Sequence, residues 1–256
     1  MTSSKIKKQR RGKFTVNGIT VQIAVPNIWE VLYPSPWAEQ MMENLVFSPK
    51  EKRNSVIDMG TGSGVLGIFS ILSGCKHVTM TDISPAAVEC AQMNLGLNKI
   101  SDGFNLVDNS DLFERLTGLI FDVIICNPPP LPDIPELRTG YEIDGALLSG
   151  PDGMNFILRL LECFDRYLAK DGRLILAHPS FWSSEKTVKI IKSKGYTYRV
   201  IGKKLHKLRM YHHFNDKQYE ALIKKLAELS SNKNGFFFLV PGTEFSVSVW
   251  EIKKRV

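Results

Sequence analysis

Apolar and polar residues alternate through most of KFTVNGITVQIAV (residues 13–25), interrupted at Asn17-Gly18 and ending in the apolar run Ile23-Ala24-Val25. The Asn17-Gly18 pair supplies the positive φ values of a two-residue primed turn, so a β-hairpin is predicted. Pro34 and Pro36 then mark a loop, and a helix is expected from near Trp37. Beyond it, short continuous apolar runs alternate with segments of helical period. SVIDMG, HVTMTD, FNLVDNS, FDVIICN and RLILAHP read as strands. GVLGIFSILSG, ending at Gly74, and SPAAVECAQMNLGLN read as helices, the second with Ser84 as N-cap and Pro85 in its first turn. One long amphipathic helix is expected over GMNFILRLLECFDRYLAKDG, stopping near Gly172. SSEKTVKIIKSKG and DKQYEALIKKLAELS complete the helices; YTYRVIGKKL, GFFFLV and FSVSVWEI complete the strands.

Regular β-α alternation implies an α/β fold with a parallel sheet covered by helices on both faces. The strands are apolar almost throughout, as strands buried on both sides must be. The expected organisation is a basic tail with a β-hairpin over residues 1–36 and a catalytic domain over residues 37–256. No run of about 18 apolar residues occurs, so no membrane span is expected. No signal peptide is visible either, and a cytoplasmic location is the expectation. Cys75, Cys90, Cys126 and Cys163 are widely spaced in apolar contexts and read as buried free thiols. No metal site is expected; the adjacent His212 and His213 cannot both face one site on a regular element.

The net charge of +7 changes this picture less than its size suggests. Lys5, Lys7, Lys8, Arg10, Arg11, Lys13, Lys253, Lys254 and Arg255 sit near the two ends and read as tail residues. Setting those nine aside leaves 24 basic against 26 acidic residues. A second basic cluster, KKLHKLRMYHHF from Lys203 to Phe214, interleaves cations and aromatics. That pattern suits nucleic acid or an acidic partner, and equally a loop with snorkelling side chains.

The chemistry concentrates at two strand ends. In VIDMGTGSGVLG a strand runs into a glycine-rich turn and then a helix start, which together form a cradle for a ligand. Gly62, Gly64 and Gly67 satisfy the dinucleotide spacing of NAD enzymes. Asp58, Gly60, Gly62 and Gly64 satisfy the S-adenosylmethionine version, where a carboxylate near a cationic amine and sulfonium makes sense. Asp82, at the end of the next strand, suits the ribose hydroxyls of either cofactor. The second site is DVIICNPPPLPD. A nicotinamide enzyme has no use for Asn127-Pro128 at that strand end. A methyltransferase acting on an NH₂ group does, because the Asn127 side-chain oxygen and the Pro128 carbonyl can accept both of its N–H bonds.

With these motifs the chain resembles the HemK/PrmC group of class I methyltransferases, which methylate glutamine amides in release factors. Family members carry Asn-Pro-Pro at this point. PSPWAE (residues 34–39), NSDLF (residues 109–113) and YEIDGALLSGPDGM (residues 141–154) resemble further family segments in the same order. The resemblance implies a Rossmann-like, seven-stranded class I methyltransferase sheet and S-adenosyl-L-methionine as cofactor. It implies that Asp58, Gly60, Gly62, Gly64, Asp82, Ile83, Asp111, Leu112 and Asn127 hold the cofactor, with Asp111 accepting from the adenine amino group. Asn127 and Pro128 would be the catalytic pair, with Pro129, Pro130, Pro36 and Trp37 on the substrate. The chain departs from the family at Pro130, where a stacking Tyr or Phe is usual; Trp37, Phe181 and Trp182 are candidate replacements. A protein or peptide acceptor is expected. The alternatives are adenine or guanine in a nucleic acid reached through the basic clusters, a small molecule, and a non-catalytic cofactor-binding scaffold.

Overall fold

The computed structural model describes residues 9–53, 55–107, 109–210, 213–231 and 244–255. The hairpin strands β1 (Arg10–Val16) and β2 (Ile19–Val25) are followed by helices α1 (Pro36–Asn44) and α2 (Pro49–Arg53). Then come β3 (Ser55–Met59), α3 (Val65–Leu72), β4 (His77–Thr81), α4 (Pro85–Leu97), β5 (Phe104–Val107) and β6 (Phe121–Cys126). The remainder is α5 (Asp144–Leu147), α6 (Asn155–Cys163), β7 (Leu168–Pro179), α7 (Ser184–Ser193), β8 (Tyr196–Lys207), α8 (Asp216–Ser231) and β9 (Glu244–Lys254). Among the described residues seven strands form one sheet in the order β5-β4-β3-β6-β7-β9-β8. This is the expected α/β architecture with a two-stranded hairpin ahead of it. β9 lies antiparallel between β7 and β8, so the sheet is mixed rather than wholly parallel. β-α alternation reveals parallel neighbours; it carries no signal for a strand inserted in reverse.

Two other expectations change. The helix expected to reach Gly172 ends at Cys163, and strand structure begins at Leu168. Leu168 pairs with Phe121 of β6, and the register then slips before Val123 meets Arg173. Pairing with a central strand overrides the helical period there. Arg10, Arg11 and Lys13 belong to β1, and Lys253 and Lys254 to β9, so these five are not tail residues. In β1 the alternation of exposed and inward positions fixes them on a strand. Lys5, Lys7 and Lys8, and the expected strand GFFFLV, lie outside the described residues.

The hairpin shares the main core through Val16, Val21, Ile23 and Val25. Its β2 side is fastened to α4: Asn98 Oδ1 accepts from Gln22 N at 2.8 Å and Asn94 Oδ1 from Ala24 N at 2.8 Å. Asn94 Nδ2 also donates to the Ser63 carbonyl at 2.9 Å, which ties the hairpin to the glycine loop.

The fold places the site through the central strands. After β3 the chain builds β4 and β5 on one side, then crosses back to lay β6 on the other side of β3. In such sheets ligands bind beyond the carboxyl ends of the strands, where the order reverses. The strands are also in step. Met59 is level with Thr81 of β4 and with Cys126 of β6. The next residues, Gly60, Asp82 and Asn127, therefore leave three adjacent strands at one level.

Candidate active site

The glycine loop is built by left-handed backbone. Gly60, Gly62 and Gly64 have φ of 70°, 53° and 85°, which other residues adopt only with strain. A Cβ added at Gly60 or Gly62 would meet nothing within 4 Å, so this side of the loop faces open space. Asp58 is buried and holds the turn: its Oδ2 accepts from Thr61 Oγ1 at 2.7 Å and from Gly67 N at 2.9 Å. Both bonds fall on one oxygen, which leaves Oδ1 for a ligand. Burial raises the Asp58 carboxyl to about 6 against those two bonds. Asp82 accepts from Gly62 N at 2.9 Å and from Ser84 N at 3.0 Å, so it joins the loop to the start of α4. Its carboxyl is also raised by burial. Ser84 caps α4 as expected, its Oγ accepting from Ala87 N. Two desolvated carboxylates beside an open glycine cradle fit a ligand that carries positive charge.

Ile83, next to Asp82, is 60% exposed although apolar, as a ring-contacting residue at a strand end would be. Asp111 and Leu112 follow β5, whose end bonds to the Asp82 backbone: Asp82 N donates to Val107 O and Ser110 N to Asp82 O, each at 3.2 Å. Leu112 adopts φ of 53° and is buried. The Asp111 Oδ2 accepts from Arg159 of α6 at 2.7 Å, a partner the sequence did not announce.

Asn127 closes the group. Its Oδ1 is buried and has no hydrogen-bond partner. A buried carbonyl oxygen left unpaired is costly, and one at a strand end beside a cofactor cradle is suited to a donor from outside. Behind it the proline run is clamped. Trp182 Nε1 donates to the Pro130 carbonyl at 2.9 Å, and Leu131 N donates to Leu147 O at 2.8 Å. Gly153, at φ of 77°, lies so close that a Cβ there would stand 2.3 Å from the Pro130 oxygen. Trp182 itself packs edge-on against His178, which stacks on Trp250 with ring centres 4.2 Å apart. Burial lowers His178 to about 3, so the imidazole is neutral and works as a packing ring.

One residue expected on the substrate, Trp37, lies elsewhere. Trp37 is only 2% exposed and packs against Phe181 and Phe245, because the first turn of α1 directs it into the core. Phe181 and Trp182 are buried as well. None of the three offers an open face to a substrate. Pro36 is exposed in the first turn of α1, Pro128 and Pro130 are buried, and Pro129 is half-buried. The exposed ring on the loop after the prolines is Tyr141, packed at a tilt against Trp29 with ring centres 4.9 Å apart. Among the described residues from Lys203 to Phe214 the cations Lys203, Lys204, Lys207 and Arg209 are exposed, and several side chains have partners within the chain. Lys204 pairs with Glu43, His206 with Gln40, and Phe214 is buried; Tyr211 and His212 lie outside the described residues. Among the described residues no cluster of His, Cys, Asp or Glu could hold a metal, and no helix is long and apolar enough to cross a membrane.

Residues 39–128 match the family model of ribosomal protein L11 methyltransferase (PrmA). A "Putative protein N5-glutamine methyltransferase" of Methanocaldococcus jannaschii is 32% identical over 167 residues, covering 65% of this chain and 81% of that relative. The chain belongs to the HemK/PrmC family. A release factor glutamine methyltransferase of Rhodopirellula baltica is 37% identical over 158 residues, 57% of this HemK/PrmC chain. The chain spans 53% of that relative's length. The fold agrees with that of the 16S rRNA N2 G1207 methyltransferase (RsmC) of T. thermophilus, solved with AdoMet and guanosine. The TM-score is 0.55 at 17% identity, covering 96% of this chain and 51% of that one. As a HemK/PrmC member the protein is an S-adenosylmethionine-dependent methyltransferase, and the charged cradle fits that cofactor.

Proposed function

We propose that the enzyme methylates the side-chain amide nitrogen of a glutamine in a protein. The observation that carries this reading is the buried, unpartnered Oδ1 of Asn127, one residue beyond the strand that adjoins the glycine loop. An amide NH₂ has two protons to place. Asn127 Oδ1 accepts one and the Pro128 carbonyl the other, which fixes the nitrogen and orients its lone pair. The cofactor supplies an electrophilic methyl group on a sulfonium. Asp58 and Asp82 hold its cationic and ribose parts, with Ile83, Asp111 and Leu112 around its base and Gly60, Gly62 and Gly64 giving the close approach. Pro129, Pro130 and exposed Pro36 line the acceptor side, and Trp182 keeps the grip rigid from behind. Catalysis is then mainly orientation, which is worth several powers of ten when the reacting atoms are held in line. The names of the relatives, glutamine methyltransferases of release factors and of ribosomal protein uL3, support a protein acceptor. The hairpin of residues 10–25 serves as the acceptor-side appendage of the domain over residues 37–256.

The test is transfer of labelled methyl from S-adenosylmethionine into a cell extract, divided between protease and nuclease digestion. Label lost to protease and recovered as methylglutamine is expected. Label lost only to nuclease would overturn the protein acceptor and favour a nucleobase.

A further inference from the structure

The two outer edges of the hairpin are treated differently. In a hairpin closed by a two-residue turn, the pair flanking the turn and every second pair beyond it exchange hydrogen bonds inside the ladder. With Val16 opposite Ile19, those are the pairs 16 with 19, 14 with 21, 12 with 23 and 10 with 25. The residues between them turn their N–H and C=O outward: Thr20, Gln22 and Ala24 on β2, and Arg11, Lys13 and Thr15 on β1. On β2 the groups of Gln22 and Ala24 are occupied. Asn98 brackets Gln22, accepting from its N at 2.8 Å and donating to its O at 2.7 Å, and Asn94 accepts from Ala24 N. Among the described residues no strand pairs with the outer edge of β1.

A cavity of about 400 Å³ opens beside β1. Its walls include Gly12, Lys13 and Phe14 of β1, Tyr33, and Pro36 and Glu39 of α1, with no residue of β2. The slot is shaped. A Cβ on Gly12 would stand 2.0 Å from the Tyr33 hydroxyl, so glycine alone lets that ring lie against the strand. Arg10 covers the same ring, 4.1 Å from its centre.

We propose that the outer edge of β1 is the docking strand for the protein acceptor. An extended acidic segment pairs with Arg11, Lys13 and Thr15 as a third strand of the hairpin. This rests on the protein-acceptor reading above. Alternating donors and acceptors at strand spacing match another main chain, which gives affinity without fixing sequence. Charge selects the acidic partner: Arg10, Arg11 and Lys13 are exposed along this edge, and Glu39 is the single acid in the cavity wall. Pro36, expected on the acceptor side, lines the same slot.

The experiment uses the full chain and the labelled-extract assay, with cofactor binding followed by calorimetry. Lys13→Pro removes the outward N–H and leaves the hairpin ladder intact. Lys13→Gln removes only the charge. Protease-sensitive label is expected to fall at least tenfold in Lys13→Pro and two- to threefold in Lys13→Gln, with cofactor affinity within twofold of wild type in both. If Lys13→Pro melts well below wild type, Thr15→Pro carries the same test on the same edge. Label within twofold of wild type in the folded proline variant overturns the docking strand. So does equal loss in the proline and glutamine variants, since cations also protect free edges by themselves. Wild-type enzyme that labels no protein sinks the protein-acceptor reading, and the docking strand with it.

Discussion

Asn127 concentrates the chemistry in one atom. Asn127→Ala removes the acceptor oxygen and is expected to cut kcat by about 100-fold or more, the scale of a lost positioning contact. Calorimetry should show cofactor affinity within a few-fold of wild type; activity above a tenth would exclude the two-point grip. Asp58 makes a different prediction. Its carboxyl ionises near 3.8 ordinarily and at about 6 in the fold, because burial opposes its charge. A raised carboxyl favours the fold fully below pH 3.8 and loses that contribution as pH rises through 6. A cationic cofactor offsets the buried charge, so the rise in Tm on adding S-adenosylmethionine should be larger at pH 7.5 than at pH 5. An equal rise at both would remove Asp58 from the cofactor's surroundings. These residues were legible in the sequence because each follows an apolar run directly, and strand ends in α/β sheets are where ligands bind. The Arg159 partner of Asp111 and the Trp182 partner of Pro130 were not. They meet across 48 and 52 residues with no periodicity to join them.

The proline loop works as a clamped element. Trp182 grips the Pro130 carbonyl from one side, and Gly153 admits it from the other. Trp182→Phe keeps a smaller aromatic ring and deletes the donor, leaving a buried carbonyl unpaired at about 1–3 kcal/mol. Transfer should drop about tenfold in kcat with cofactor affinity unchanged. A loss confined to Tm would make Trp182 a packing residue only. Tyr141 is the exposed ring near this loop, so Tyr141→Ala should raise the acceptor KM several-fold and leave kcat nearly intact, as steady-state kinetics can show. The family's aromatic after Asn-Pro-Pro is thus absent while the loop is held from within. The element boundaries themselves were read well where one period dominated, as in α4 and β3. They failed at residues 164–172, where β6 recruits Leu168 into the sheet against a helical pattern.

At the scale of the molecule, the end of the sheet opposite the site is closed by ions. Arg173 donates to Glu51 at 2.7 Å, to Glu251 at 3.0 Å and to the Val46 carbonyl at 2.6 Å, joining α2, β7 and β9. Burial alone would raise Glu251, yet the bonds from Arg199 and Arg173 outweigh it and hold the carboxyl below its ordinary value. Arg173→Met takes one cation from each of two carboxylates, leaving Glu251 with Arg199 and Lys253 and Glu51 with the Ser48 N–H, and should cost about 1.5–3 kcal/mol in urea unfolding. Cofactor affinity, set at the other end, should not change. The position of β9 has a consequence during synthesis. It follows β8 in the chain but lies between β8 and β7, and Gln40 of α1 donates to Val247 of β9 across 207 residues. Until the ribosome has released β9, the inner edges of β7 and β8 have no strand between them, and exposed edges of this kind invite association with other chains. The nascent protein therefore carries a complete set of cofactor-loop residues long before it can close its sheet, and this interval is when a chaperone would matter most.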